Sequence, residues 1–255
     1  MLESIDMEIT NAFFKDKIKL SCNVLKIIAC VFMFIDHVGY GVFHNYMIAH
    51  AMDIMPDEYK KLNTVYETCR GFGRLAFPIF CFFLVEGFIR TSNLKKYALR
   101  LFVLAVISEI PFDLGLYGKL FKWDHQNIII TFFIALVMMA VMKHISENIV
   151  GISNPLRYIC LLCTVIAFAD LAYLLKTDYS WKCMLLVAVL YLLRDAEELR
   201  MIAGAAAVSW REYSPISFLF LYFYDPSIKP KHKYAFYLFY PLNFLIVYVI
   251  AKLVI

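Results

Sequence analysis

The run V-L-K-I-I-A-C-V-F-M-F-I-D-H-V-G-Y-G-V-F, residues 24–43, decides what kind of protein this is. As a helix it rises about 30 Å, enough to cross a bilayer, yet Asp36 and His37 sit side by side within it. Ionisable groups at that depth cost roughly 2.5–3.5 kcal/mol each on insertion scales. Membrane helices that keep such groups use them to bind, catalyse or conduct.

Composition agrees with a membrane setting. Hydrophobic residues make up 62% of the 255, charged residues 18%, and mean hydropathy is +0.68; soluble domains average about 45–50% apolar and about 25% charged. The expected architecture is therefore all-α: a polytopic integral membrane helical bundle. A polar tail, residues 1–23, precedes a single transmembrane domain, residues 24–255. The tail, M-L-E-S-I-D-M-E-I-T-N-A-F-F-K-D-K, has neither the long apolar core nor the cleavage site of a signal peptide. The net charge of +4 is scattered, which argues against a nucleic-acid surface. Of the seven cysteines, Cys160 and Cys163 form C-x-x-C without a second pair or a histidine cluster. The thiols therefore read as small buried hydrophobes, and no metal site is expected.

About eight apolar segments follow from the hydropathy pattern: residues 24–43, 75–89, 97–116, 128–142, 156–175, 179–193, 201–224 and 234–255. Pro111 should bend or end the third. The seventh is irregular, interrupted by Arg211, Glu212 and Pro215, and reads as one broken span or two half-helices. Lysine and arginine bias slightly favours an inside N-terminus. Lys15, Lys17, Lys19, Arg90, Lys95, Lys96 and Arg100 then lie inside, and Lys60, Lys61, Arg70, Lys229, Lys231 and Lys233 outside.

The candidate chemistry begins with His37, whose imidazole can accept a proton, donate one or act as a nucleophile. Asp36 points about 100° away around the helix, so it pairs with a cation on another helix, for which Arg74 in G-F-G-R is the candidate. The plainer reading of Arg74 is a helix-end arginine reaching headgroups. Glu86 and Arg90 form a favourable i,i+4 pair. Glu109 and Asp113, also four apart, suit an amine or cation between them, or stand wet at a helix end. Gln126 and Asn127 hydrogen-bond a ligand or cap the fourth segment. Arg90, Lys95, Lys96 and Arg100 form a compact basic patch, either against lipid headgroups or as a dock for a phosphate-bearing donor.

In these same stretches the chain resembles the TraX family of membrane proteins, named for a conjugative-plasmid protein associated with N-terminal acetylation of pilin. The resemblance lies in L-K-I-I-A-C-V-F-M-F-I-D-H-V-G (25–39), G-R-L-A-F-P-I-F-C-F-F-L-V-E-G-F (73–88) and N-L-K-K-Y-A-L-R-L-F (93–102). It continues in S-E-I-P-F-D-L (108–114), Q-N-I-I-I-T (126–131) and Y-L-F-Y-P-L-N (237–243). More distantly, the family is similar to transmembrane acyltransferases that use a membrane-embedded histidine and cytosolic acetyl-CoA.

That resemblance implies catalysis by His37 and Asp36, with Arg74, Glu86, Glu109, Asp113 and Asn127 lining a substrate-binding polar core. Acetyl-CoA would dock on Arg90, Lys95, Lys96 and Arg100, and the acceptor, an amine, sugar or peptide N-terminus, is open. Where relatives often read Y-P-x-H in the last span, this chain has Asn243, to which no proton role carries over. A bacterial inner membrane is implied as the location. The alternative is a proton-coupled transporter or exporter using Asp36, His37, Glu109 and Asp113 as a relay. A scaffold whose polar residues only lock helices together is a third reading.

Overall fold

A computed structural model describes residues 19–148, 153–228 and 233–255; most of the 1–23 tail, with Lys15 and Lys17, lies outside the described residues, as do Lys229 and Lys231. The described chain is helical throughout, with two isolated bridges in place of a sheet. In order the helices are α1 Cys22–Val38, α2 Asn45–Ala49, α3 Pro56–Gly73, α4 Ala76–Arg90, α5 Leu94–Tyr117 and α6 Ile128–Asn148. They continue with α7 Asn154–Leu174, α8 Ser180–Leu192, α9 Glu197–Ala207, α10 Ser217–Tyr222 and α11 Lys233–Val254. Five stretches are long and apolar enough to cross a membrane: Cys22–Ala49, Pro56–Arg90, Ile128–Glu147, Asn154–Leu174 and Ala235–Val254. α5 has 24 residues but carries Arg100, Glu109 and Asp113, and α8 has only 13.

Apolar side chains face outward as well as filling the core, and a few polar ones are buried. Ile107 on α5, Leu162 on α7 and Val249 on α11 are exposed, while Glu86, Ser108, Asp113, Asn127, Arg200 and Asn243 are buried. In hydrocarbon a polar side chain must find its partner within the protein, so these residues turn inward. The cysteines are all free. Cys81 and Cys183 are buried together, whereas Cys163 is exposed on the outer face of α7 and not buried as expected.

Chain direction defines two ends of the bundle. The proximal end holds the start of α1, the end of α4 and the start of α5; the distal end holds the 118–127 loop and the turn between α7 and α8. α1 starts where the Ser21 hydroxyl accepts from the Val24 N–H at 3.2 Å. Past Val38 it widens into a π-helical segment, Gly39–His44. Pro111 does not end α5, which runs on to a left-handed Gly118 at φ 65°. The last turns of α5 are held by close backbone packing: a Cβ at Gly41 would lie 2.5 Å from the Gly115 carbonyl oxygen, and one at Gly115 would lie 2.7 Å from that of Phe244. This three-way approach locks the π segment, α5 and α11 together.

The seventh apolar segment resolves into two short helices. α9 runs from the proximal end inward, and the chain returns through a 3₁₀ turn, Ser214–Ile216, and α10. The hydroxyls of Ser214 and Ser217 donate to the carbonyls of Arg74 and Leu75, at 3.0 and 2.9 Å. Those bonds fix the tip of the hairpin beside the α3–α4 junction. Tyr224 then pairs with Leu20, and Arg90 Nη1 donates to the Pro226 carbonyl at 3.2 Å. The chain therefore leaves α10 on the face of Leu20 and Arg90. The expected placement of Lys229 and Lys231 falls outside the described residues.

A hairpin at 197–222 makes a direct labelling prediction. In a cysteine-free background, Ser92→Cys and Ser227→Cys should react with an impermeant maleimide from the same side of the membrane, and Trp123→Cys from the other. Labelling of positions 92 and 227 from opposite sides would contradict the hairpin.

Candidate functional site

Asp36 projects from α1 toward α3, where Arg70 Nη1 reaches its Oδ2 at 2.7 Å. A Cβ at Gly73 would collide with the Asp36 side chain, so glycine there lets α3 approach. The expected partner, Arg74, points elsewhere: its Nη1 lies 3.7 Å from exposed Glu212. One helical turn separates Arg70 from Arg74, and the crossing of α1 with α3 selects the former.

His37 faces α11. Its Nδ1 lies 2.5 Å from Asn243 Oδ1, and its ring stacks on Phe244 with centroids 4.1 Å apart. Asn243 Nδ2 donates to the carbonyls of Phe239 and Tyr240. With the amide nitrogen committed to helix carbonyls, only the amide oxygen can face the imidazole, so Nδ1 carries the hydrogen and donates. The lone pair is thereby assigned to Nε2. Asn243 was not among the predicted site residues. The Y-P-L-N string in the last span was its signal.

His37 and Asp36 line a cavity of about 500 Å³ opening toward the distal end. Its walls are rich in aromatics, among them Tyr40, Tyr117, Tyr179, Trp181 and Trp210. The turn between α7 and α8 supplies one wall, and its backbone is unusual: Tyr179 and Ser180, which line the cavity, have φ of 57° and 43°, and Lys176 before them has 53°. Non-glycine residues adopt that region only where surrounding structure enforces it. Here the enforcers are the Gln126 and Thr177 bridge, Thr131 Oγ1 donating to the Asp178 carbonyl at 2.7 Å, and the stack of Tyr179 on Phe77 at 3.8 Å. The turn presents the Asp178 carboxylate to the cavity, 3.6 Å from His125 Nε2. The Asp178 carboxylate raises the His125 pKa above its ordinary 6.5, outweighing burial. Asp178, His125 and Tyr179 lie in or beside loops, where hydropathy reading carries no signal.

The other predicted substrate-binding residues do not line this cavity, although Glu109 and Asn127 meet each other. Glu109 accepts from the backbone N–H of Asn127 at 3.2 Å and from its side-chain amide. Asp113 Oδ2 accepts from the Lys122 N–H at 2.6 Å. Asn127 Oδ1 caps α6 by accepting from the Ile129 N–H at 2.9 Å. Both carboxylates thus staple the 118–127 loop, and with it His125, onto α5, while Asp113 Oδ1 is buried without a partner. Glu86 lies at the proximal end, where it pairs with Arg90 as expected and also with Arg200, each at 2.8 Å. Arg90, Lys96 and Arg100 do gather around one proximal cleft with Thr91, Ser92 and Asn93, whereas Lys95 is exposed outside it.

From that cleft a mostly apolar cavity of about 410 Å³ runs inward past Lys26, Tyr97 and Arg100. It shares four walls with the His37 cavity: Met33, Phe80, Ile128 and Tyr240. No group of three or more His, Cys, Asp or Glu among the described residues is placed to hold a metal ion.

The fold and site define a polytopic helical membrane protein with a histidine-lined cavity in its interior. The family described as TraX protein matches residues 21–251, and the chain belongs to that family. It is 29% identical over 251 residues to a probable fimbrial assembly protein FimC, serogroup H1, of Dichelobacter nodosus, covering 89% of this chain and 93% of that one. No solved structure matches significantly.

Two outcomes follow from this geometry. Arg70→Gln strands a half-buried carboxylate and should cost about 2–4 kcal/mol, read as thermal stability in detergent, whereas Arg74→Gln should cost under about 1. Equal losses would refute the assignment of Arg70 as the partner of Asp36. The His125 and Asp178 pair has a raised imidazole pKa, so its contribution is complete below about pH 6.5 and is lost as pH rises through the folded value. Thermal melts should show a small fall as pH rises above about 6.5 that Asp178→Asn abolishes; a fall of the same size in that variant would assign it to another group.

Proposed function

We propose that the protein is a membrane acetyltransferase. It would take the acetyl group of acetyl-CoA from the proximal end and pass it, at His37, to an amine or hydroxyl acceptor from the distal end. One observation carries this reading: two cavities, one from each end, share the walls Met33, Phe80, Ile128 and Tyr240, and the distal one is lined by a histidine of fixed tautomer. The proximal one starts at Arg90, Lys96 and Arg100, suited to phosphates, and continues as an apolar channel. From Arg90 to Phe77, at the wall of the His37 cavity, α4 rises about 20 Å. That depth suits a long, flexible thioester arm, not a compact substrate.

At the meeting point, His37 Nε2 takes the proton as the acceptor nitrogen or oxygen attacks the thioester carbonyl carbon. The carbon–sulfur bond breaks, and the CoA thiolate leaves with the proton returned by the imidazolium. Asn243 is a positioning residue that holds Nδ1–H, and Asp36 with Arg70 fixes α1 against α3. The aromatic walls and Asp178 receive the acceptor. The fimbrial assembly protein among the relatives makes a pilin N-terminal amine one acceptor of fitting chemistry, and membrane lipids surround the whole. A proton relay through Asp36, His37, Glu109 and Asp113 is less well supported, since Glu109 and Asp113 are bonded to backbone away from the cavity.

The test is purified protein in detergent with labelled acetyl-CoA and a candidate peptide amine. His37→Gln should keep its melting temperature and lose roughly 10²–10⁴-fold in transfer. Asn243→Leu should lower kcat about 10-fold with the KM for acetyl-CoA unchanged, because only orientation of the base is lost. Parent-like transfer by a folded His37→Gln protein would overturn the reading.

A further inference from the structure

Beside Glu86, at the proximal end, lies a third cavity of about 440 Å³, distinct from the one holding His37. Arg200, in the first turn of α9, lines it and is only 5% exposed. One guanidinium nitrogen is used: Nη1 donates to Glu86 Oε1 at 2.8 Å. The flat face lies 4.4 Å from the Phe82 ring centroid. Nε and Nη2 are buried without a partner. These two N–H groups form the side-on edge of the guanidinium, the fork that grips two oxygens of one anion. Burying such donors unmatched costs several times what a satisfied bond contributes.

The carboxylates of the cavity do not fill this fork. Glu86 is saturated, with Oε1 on Arg200 and Oε2 accepting from Arg90 Nε at 3.0 Å and Nη2 at 2.8 Å. Asp225 accepts from the Ser227 N–H at 2.8 Å, and Glu197 is not free. Lys19, Arg90 and Arg194 complete the lining. Cationic groups thus outnumber uncommitted carboxylates around a buried bidentate donor.

We propose that this cavity is a phosphate-binding site, with the Arg200 fork holding two phosphate oxygens and Arg194 and Lys19 closing over the group. Two sources carry that chemistry. One is the nucleotide 3′-phosphate of acetyl-CoA, an assignment that rests on the acetyltransferase reading. Arg90 lines this cavity, the Arg90–Lys96–Arg100 cleft and the apolar channel alike, so a donor could place its diphosphate in the cleft and its 3′-phosphate here. The other is the headgroup of an anionic lipid in the proximal leaflet.

The experiment titrates full-length protein in detergent with CoA and 3′-dephospho-CoA, and separately with phosphatidylglycerol and phosphatidylcholine in mixed micelles. The parent is compared with Arg194→Gln, Arg200→Gln and Lys96→Gln; Arg194 is a rim residue whose loss leaves the Glu86 pairs intact. For the nucleotide source, CoA binds at least about 10-fold more tightly than dephospho-CoA, about 1.4 kcal/mol. That ratio collapses in Arg194→Gln and Arg200→Gln, while Lys96→Gln weakens both ligands alike. For the lipid source, phosphatidylglycerol stabilises the parent more than phosphatidylcholine does, and the two arginine variants lose that preference. A lipid preference with no binding of either nucleotide keeps the phosphate site and removes the acetyl-CoA reading. Equal binding of CoA and dephospho-CoA with no lipid preference overturns the site and leaves the acetyl-CoA reading standing. A CoA preference or lipid preference that survives in Arg194→Gln and in folded Arg200→Gln also overturns it.

Discussion

Hydrocarbon offers no partner to a charge, and that constraint organises this bundle. Asp36 cannot stay ionised inside α1 unless a cation meets it, and Arg70 does so at 2.7 Å. The contact demands that α3 lie against α1, which glycine at position 73 permits and a side chain would prevent. Once α3 is fixed there, α4 follows from the same nearly continuous helix, and Arg90 arrives at the opposite end of the bundle. The pair at one end and the Glu86 cluster at the other thus share a single rigid element.

A second consequence concerns His37. Its partner comes from α11, more than 200 residues along the chain, and α11 reaches it only because Gly41, Gly115 and Phe244 bring three backbones into contact. Close packing of small residues is how membrane helices associate without a hydrophobic driving force between them. The π-helical widening directly after His37 sits at the same place, and such segments mark functional sites in helices. The tautomer of the imidazole is therefore set by tertiary packing, not by any neighbour in sequence.

Sequence made the helices legible because apolar runs are long and a charge within one is conspicuous. Asp36, His37, the Glu86–Arg90 pair and the Arg90, Lys96 and Arg100 cleft were all visible that way. Choices among nearby candidates were not. Arg70 and Arg74 lie one turn apart, and only the crossing of α1 with α3 decides between them. Glu109 and Asp113 looked like a cation site because spacing shows who can face whom, yet their partners are backbone amides of a loop. Asp178 and His125 sit on turns without periodicity, and Arg200 was hidden because its importance lies in burial. The hairpin of α9 and α10 was also ambiguous, since a broken apolar run has the same hydropathy whether it crosses once or turns back.

The position of His37 along α1 gives the site a polarity. It lies 15 residues beyond Cys22, about 22 Å of rise, so the route to it from the proximal end is long and the route from the distal end short. The long route is lined chiefly by apolar and aromatic side chains and begins at arginine and lysine; the short one is aromatic and carries Asp36 and Asp178 together with Arg70, Lys182 and Arg211. A compact polar acceptor gains nothing from a long apolar channel, and an extended apolar arm gains nothing from a short route. Under the acetyltransferase reading the lengths of the two routes therefore match the long thioester arm to the proximal end and the compact acceptor to the distal one. The buried Arg200 fork strengthens that arrangement, because it adds a further anion-seeking group to the end where the phosphates would lie.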